Sequence, residues 1–196
     1  MKLLNALIEQ AKNPRGWLGK TMLNIMNQAH NKMTVWGLEK VQLKDKDVIL
    51  DIGCGGGQTL KILSSLISNG TIYGVDYSEK AVATTTDKNW KDVQNKKIIV
   101  KQADVTSLPF SEDFFDVITA FQTHYFWPDL KNNIVEVNRI LKQGGQFLLV
   151  AELYKINYHM KEYKTVETLK ELFLRSGFST VTVSQTKTQL CMVGEK

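Results

Sequence analysis

A glycine-rich stretch, residues 51–57 (DIGCGGG), has residue types and spacing that suit ligand chemistry. Glycines at a turn from strand to helix let the backbone approach a ligand closely, and the amino end of a helix favours negative charge. The dinucleotide fingerprint Gly-x-Gly-x-x-Gly is not met, because Gln58 stands where its last glycine would be. The acid Asp51 before the glycines suits a ligand with a cationic amino group beside a carboxylate, rather than a pyrophosphate.

A histidine in an aromatic segment is the second chemical candidate. His124 lies in residues 121–127 (FQTHYFW), and an ordinary histidine can accept a proton near neutral pH. The alternative interpretation is a histidine that simply packs among aromatic rings in a loop. His30 and His159 are weaker candidates, because no motif ties them to a ligand. No metal site is expected.

The glycine turn and the aromatic segment lie in a chain that alternates short β-branched runs with helical stretches. This alternation favours parallel strands with crossover helices, which would position both segments. Two final β-rich runs have so short a connection that they must be antiparallel. The predicted strands are residues 48–52, 71–76, 97–101, 115–120, 146–150, 178–184 and 188–193. The predicted helices run from about 60 to 67, from a cap at Ser78 to about Trp90, from 130 to Gly144-Gly145, and from 166 to 176.

Length and composition indicate one domain, since 196 residues with 43% hydrophobic and 23% charged residues can bury a substantial core. Residues 1–45 are predicted to form a helical cap that serves as a lid or substrate wall. Residues 46–196 are predicted to form the main body of the same domain. The longest uncharged run, residues 62–75, is too short to cross a membrane. Cys54 and Cys191 make no disulfide framework, so a cytoplasmic protein is expected.

The net charge of +5 is spread along the chain and carried mainly by lysine. Arginine, which suits planar recognition of phosphate and guanine, is scarce. This distribution argues against nucleic acid as a partner and favours solvated surface lysines.

The glycine turn and the features after it resemble, in order, the class I S-adenosylmethionine-dependent methyltransferases. Residues 48–57 resemble the motif that wraps the amino-acid end of the cofactor. Asp76 resembles the acid that binds both ribose hydroxyls, with Tyr77 beside it to pack on adenine. Asp104 and Val105 match the pair that contacts the adenine amino group and ring nitrogen.

Further segments narrow the resemblance, which covers residues 35–195. Phe121 holds the position from which the backbone touches the methionine part of the cofactor. Residues 108–118 (LPFSEDFFDVI) are similar to the ubiquinone/menaquinone-biosynthesis type of small-molecule methyltransferases. Residues 139–145 (RILKQGG) resemble the helix end and turn before the fifth strand of that group.

The resemblance implies an α/β, Rossmann-like, doubly wound seven-stranded sheet, mostly parallel, with a C-terminal antiparallel hairpin and an N-terminal helical lid. It also implies S-adenosyl-L-methionine as cofactor, S-adenosyl-L-homocysteine as product, and in-line methyl transfer to a small-molecule acceptor, with His124 as base if the acceptor must lose a proton. The cofactor-binding residues it implies are Asp51, Gly53, Cys54, Gly55, Gly57, Asp76, Tyr77, Asp104, Val105 and Phe121.

Two other functions stay open at this point. A non-catalytic module that binds S-adenosylmethionine or S-adenosylhomocysteine would carry the same motifs, because methyl transfer needs no invariant catalytic side chain. An NAD(P)-dependent oxidoreductase is disfavoured by Gln58, by the lack of a Tyr-x-x-x-Lys pair and by the terminal hairpin. A DNA methyltransferase is disfavoured because residues 120–123 (AFQT) lack the Asn/Asp-Pro-Pro pattern. We expect a monomer or a homodimer.

Overall fold

The computed structural model describes residues 30–196, and their centre is one seven-stranded sheet in the order β3-β2-β1-β4-β5-β7-β6. The first five strands in this order are mutually parallel, whereas β7 is antiparallel to both β5 and β6. The predicted fold class is therefore confirmed. The strands are β1 Val48–Ile52, β2 Thr71–Asp76, β3 Ile98–Gln102, β4 Phe115–Phe121, β5 Leu141–Glu152, β6 Thr180–Gln185 and β7 Gln189–Glu195.

Helices connect the parallel strands, except β3 and β4, which are joined by residues 103–114 without a helix. The predicted N-terminal cap lies largely outside the described residues, and of it residues 30–38 are helical (α1). None of the helices within residues 30–196 is long and apolar enough to cross a membrane. The others are α2 Gln58–Leu66, α3 Glu79–Lys88, α4 Trp90–Gln94, α5 Leu130–Ile140, α6 Leu153–His159 and α7 Val166–Arg175, with a 3-10 turn at His124–Phe126.

The core lies on both faces of the sheet, as expected for parallel strands covered by helices. Successive residues of β1 pack on opposite faces of the sheet. Leu50 belongs to the layer that includes Ile134 of α5 and Phe173 of α7. Ile49 belongs to the layer that includes Leu60 of α2. Met33 of α1 joins the second layer. Helices on both faces thus fix the strand ends at which the candidate site lies.

The cap predicted at Ser78 is present, because its side chain accepts a hydrogen bond from the backbone N–H of Ala81. The helix ends at Lys88 rather than at Trp90, where α4 begins. At the break, the Asn89 amide donates to the carbonyls of Gly57 and Thr85, both at 3.0 Å. Asn89 thereby ties the end of α3 to the glycine turn.

Two predictions about β5 and its surroundings were wrong. α5 ends at Ile140 rather than at Gly144-Gly145, because Leu141 is fully buried and already pairs with Phe115 of β4. A register shift in that pairing accommodates the residues before Gln146, which therefore belong to the strand. The segment after β5, for which no helix was predicted, contains α6, which buries Ile156.

Candidate functional site

A cavity of about 540 Å³ opens at the carboxyl ends of β1, β2 and β3 and beside the loop after β4. Ligands of open α/β sheets bind at this edge, and the volume is in the range of small-molecule sites. Five of the predicted cofactor residues lie in its wall. The lining residues are Ile52, Gly53, Val75, Asp76, Tyr77, Ser78, Ala103, Asp104, Val105, Thr123, Phe126, Trp127 and Pro128.

The glycine turn after β1 folds tightly against β2. The backbone N–H groups of Gly53 and Cys54 both donate to the Val75 carbonyl, at 2.8 and 3.0 Å. Gly53 has a φ of 75°, and a Cβ at this position would lie only 2.4 Å from Cγ2 of Thr123. Glycine is therefore required here for two reasons, the left-handed backbone and the close approach of the loop after β4.

Asp76, at the end of β2, is a carboxylate fixed in the cavity wall. Its Oδ2 accepts from the Gly55 N–H and its Oδ1 from the Ser78 N–H, both at 2.9 Å. Each carboxylate oxygen can accept more than one hydrogen bond. Asp76 can therefore bind two neighbouring hydroxyls of a ligand while it holds the glycine turn in place.

The end of β3 contributes the next wall. Asp104 is exposed, and its Oδ1 accepts from the backbone N–H of Thr106 at 2.8 Å, which holds the pKa of this carboxyl below its usual range. Val105 and the strongly exposed Tyr77 line the same cavity. The structure thus brings Asp76, Tyr77, Asp104 and Val105 together, as the sequence predicted.

Asp51 lies below the cavity, buried in the sheet, and does not line it. Its Oδ1 accepts from the Thr119 hydroxyl of β4 at 2.7 Å. Burial, aided by the charge of Asp76 and opposed by the Thr119 hydrogen bond, raises the pKa of Asp51 to about 7. The carboxyl is therefore poised between its neutral and charged forms near neutral pH.

We expect Asp51→Asn to stabilise the folded protein at pH 8. The folded protein holds this proton to a higher pH than the unfolded chain does, so Asp51 costs stability progressively as pH rises from about 4 to 7. Asparagine keeps an oxygen for Thr119 and carries no charge. Urea denaturation should show a gain of more than about 1 kcal/mol at pH 8, shrinking as pH falls toward 4. A loss of stability at pH 8 would show that the ionised form is the one the fold favours.

Four other predicted cofactor residues lie outside the cavity wall. Cys54 is buried, with Sγ 3.8 Å from the Thr85 hydroxyl, and burial raises the pKa of its thiol to about 12. Gly55 and Gly57 form the rest of the turn, with φ values of 51° and 73°. Phe121 packs its ring toward α1, on the layer that contains Met33.

His124, the predicted base, is 1% exposed and is absent from the cavity wall. Neither of its ring nitrogens has a hydrogen-bond partner within residues 30–196. Burial lowers the pKa of His124 to about 3, so the ring is neutral at physiological pH. In this arrangement it packs edge-on against Tyr125, with the ring centroids 5.2 Å apart.

We expect His124→Phe to keep or raise the stability of the protein at pH 7, because a buried polar atom without a partner costs about 1–3 kcal/mol. The folded pKa of His124 lies below the unfolded value, so its contribution to stability is complete above about pH 6.5 and is lost as pH falls. The variant should therefore lose less stability than the wild type between pH 6.5 and 4 in urea titrations. A loss of more than about 1 kcal/mol at pH 7 would indicate a hydrogen-bond partner for the imidazole.

Sequence reasoning missed several residues of the cavity wall. Phe126, Trp127 and Pro128 form its side after β4, although the aromatic segment 121–127 was singled out for a different reason. Thr123 enters the wall through its contact with Gly53, which no sequence pattern reveals. Within residues 30–196 no group of three histidine, cysteine or acidic side chains could hold a metal ion.

Comparison with known proteins identifies the family of this chain. The family described as "Methyltransferase domain" matches residues 50–149. The 27-O-demethylrifamycin SV methyltransferase of Amycolatopsis mediterranei is 28% identical over 63% of this chain and 45% of its own length. The demethylmenaquinone methyltransferase of Lactococcus lactis is 29% identical over 68% of this chain and 66% of its own.

A solved structure shares the fold. The SAM-dependent methyltransferase of Aquifex aeolicus superposes with a TM-score of 0.67 at 17% identity, over 82% of this chain and 88% of that one. The chain spans less than half the length of several curated relatives it matches, with shares of 43%, 45% and 39%. With half of the chain matched by one family model and the fold shared, the chain belongs to the methyltransferase-domain family.

Proposed function

We propose that this protein is an enzyme that transfers a methyl group from S-adenosylmethionine to a small-molecule acceptor by in-line displacement. The observation that carries the proposal is the pair Asp76 and Asp104, held at adjacent strand ends in one cavity beside the glycine turn. Such an arrangement suits a ligand that combines a ribose, an adenine and an amino-acid end. A cavity of about 540 Å³ is large enough for a small-molecule ligand.

The residues present fit this cofactor. Asp76 would bind the ribose hydroxyls, Tyr77 would pack on the adenine, and Asp104 with Val105 would contact its polar edge. The backbone of Gly53, which lines the cavity, would contact the amino-acid end. The buried Asp51, two residues before it, would add negative charge when ionised. Phe121 stays a proposed backbone contact to the same end.

The chain contributes binding and alignment more than acid–base chemistry. The bound cofactor supplies a methyl group activated by a positively charged sulfur. Holding two reactants in line can contribute about 7–11 kcal/mol toward the barrier. Phe126 and Trp127, which form the cavity wall after β4, would line the side where an acceptor enters. Proton acceptance by His124 stays a prediction, which the buried ring of this structure does not favour.

Three observations favour a small molecule as the acceptor. Residues 120–123 (AFQT) do not have the Asn/Asp-Pro-Pro pattern of enzymes that methylate DNA bases. The exposed Phe126 extends the aromatic wall outward from the cavity. Two relatives are named as methyltransferases of 27-O-demethylrifamycin SV and of demethylmenaquinone. Residues 1–45 are proposed as a cap that completes the acceptor wall.

A turnover experiment tests this function against the alternative of a binding module. Purified protein is incubated with S-adenosylmethionine carrying a labelled methyl group and with the low-molecular-weight fraction of cell extracts. We expect label to move into solvent-extractable small molecules, and Asp76→Ala to abolish the transfer. Cofactor binding without a labelled product across varied extracts would favour the non-catalytic module.

A further inference from the structure

A second polar cluster lies at the same edge of the sheet, where β4 and β5 end. β4 and β5 are parallel neighbours, with Phe121 opposite Val150, so Gln122 and Glu152 follow at the same edge, where their side chains form a hydrogen bond. Thr123, which follows Gln122, lines the cofactor cavity. Under the proposed function, this cluster therefore lies beside the cavity on its β5 side.

Gln122 is held in a strained conformation by the cluster. Its φ of 61° lies in the left-handed region, which residues with a Cβ seldom adopt and which often marks a functional site. Its Oε1 accepts from the Tyr125 hydroxyl at 2.9 Å and from the Glu152 backbone N–H at 3.2 Å. Its Nε2 donates to Oε2 of Glu152 at 3.0 Å and lies 3.1 Å from the sulfur of Met33.

The carboxylate of Glu152 is fixed by contacts that all fall on one oxygen. Oε2 receives the Gln122 amide at 3.0 Å and the Lys155 ammonium at 2.8 Å. Within residues 30–196, Oε1 has no hydrogen-bond donor, and the side chain is 27% exposed. A partly exposed, rigidly held oxygen with free lone pairs is suited to accept a hydrogen bond from a ligand.

The charges around Glu152 decide which donor it can take. The Lys155 ammonium pairs with the Glu152 carboxylate and balances its charge. Both charges also affect the pKa of His30, which lies on α1 one helical turn before Met33. Burial and the charge of Lys155 lower the pKa of His30, so its ring is neutral near pH 7. The cluster therefore has almost no net charge and favours a neutral hydroxyl over an ammonium group.

An aromatic wall connects this cluster with the cofactor cavity. The ring of Tyr125 stacks on His159 at 5.1 Å and meets Phe126 edge-on at 4.6 Å. Phe126 also meets His159, at 5.0 Å, and lines the cavity. Such a wall offers ring faces to a planar ligand.

We propose that Glu152 is a specificity-determining residue, whose Oε1 accepts a hydrogen bond from the hydroxyl of a neutral hydroxyaromatic acceptor held along the Tyr125–Phe126 wall. Gln122 and Lys155 are positioning residues that fix the carboxylate. The assignment rests on the proposed function, because it places the acceptor beside the methyl group of the cofactor.

The test uses three naphthalene probes that differ in one substituent: 2-naphthol, 2-methoxynaphthalene and protonated 2-naphthylmethylamine. Their dissociation constants are measured by ligand-observed NMR on the full chain, with and without S-adenosylhomocysteine. We expect 2-naphthol to bind about tenfold more tightly than the other two, the effect of one hydrogen bond to a charged group. Glu152→Gln, which keeps the shape of the side chain, should abolish this preference.

Glu162→Gln is the matched control, because Glu162 is an exposed acid just after α6, and it should leave the preference unchanged. Thermal unfolding of both variants shows that they are folded. Equal binding of the three probes, preference for the amine, no binding of 2-naphthol, or an unchanged preference in Glu152→Gln would each overturn the proposal. Calorimetry with S-adenosylhomocysteine separates the two proposals. If the protein does not bind S-adenosylhomocysteine, the proposed function fails, whereas the role of Glu152 is tested by the NMR preference for 2-naphthol.

Discussion

Asp76→Ala is expected to weaken the binding of S-adenosylhomocysteine about 100-fold. The side chain would lose two hydrogen bonds from ribose hydroxyls to a charged group, each worth about 1.5 kcal/mol or more. The substitution would also release the N–H groups of Gly55 and Ser78, which Asp76 now holds at 2.9 Å. Because Asp76 lies at the end of its strand rather than in the core, the fold should persist.

Asp87→Ala is the control for this variant, because Asp87 is an exposed acid on the adjacent helix α3. Calorimetry should give the same affinity for Asp87→Ala as for the wild type, and circular dichroism should show both variants folded. An affinity of folded Asp76→Ala within threefold of the wild type would remove Asp76 from the cofactor site.

Gly53→Ala is expected both to destabilise the protein and to impair cofactor binding. Alanine in the left-handed region costs about 1–2 kcal/mol, and its Cβ would lie 2.4 Å from Cγ2 of Thr123. Relief of that contact must move the loop after β4, which carries Phe126 and Trp127 in the cavity wall. We expect a loss of about 2–3 kcal/mol in urea denaturation, together with weaker binding of S-adenosylhomocysteine.

Two further variants isolate the cause. Thr123→Ser removes the clashing Cγ2 and keeps a hydroxyl for the Ile52 carbonyl, so the double variant with Gly53→Ala should recover part of the loss. Gly56→Ala should be nearly neutral, since a Cβ there meets nothing within 4 Å and the backbone is not left-handed. Additive effects of Gly53→Ala and Thr123→Ser would show that the contact with Thr123 is not the cause.

Sequence reasoning found the parts of the site that strand ends dictate. Asp76 and Asp104 each follow a short β-branched run, and parallel strands bring their carboxyl ends to one edge. The hairpin of β6 and β7 followed from its short connection. These features depend on neighbours in the chain, which local patterns report well.

The parts that depend on packing between distant segments could not be predicted. Phe121 packs toward α1 and His124 is buried, whereas Phe126 and Trp127 line the cavity. No pattern of residue types in this segment distinguishes these positions. The hydrogen bond between the side chains of Gln122 and Glu152 joins residues 30 positions apart. The early end of α5 depends on the pairing of Leu141 with Phe115, because the helical pattern itself continues to Leu141.

Calorimetric titration of the wild-type protein with S-adenosylhomocysteine, and in parallel with NADH, tests the central claim most directly. We predict that S-adenosylhomocysteine binds at one site per chain, that Asp76→Ala abolishes most of this affinity, and that NADH shows no heat of binding. Tight binding of NADH with none of S-adenosylhomocysteine would contradict the assignment of the cavity.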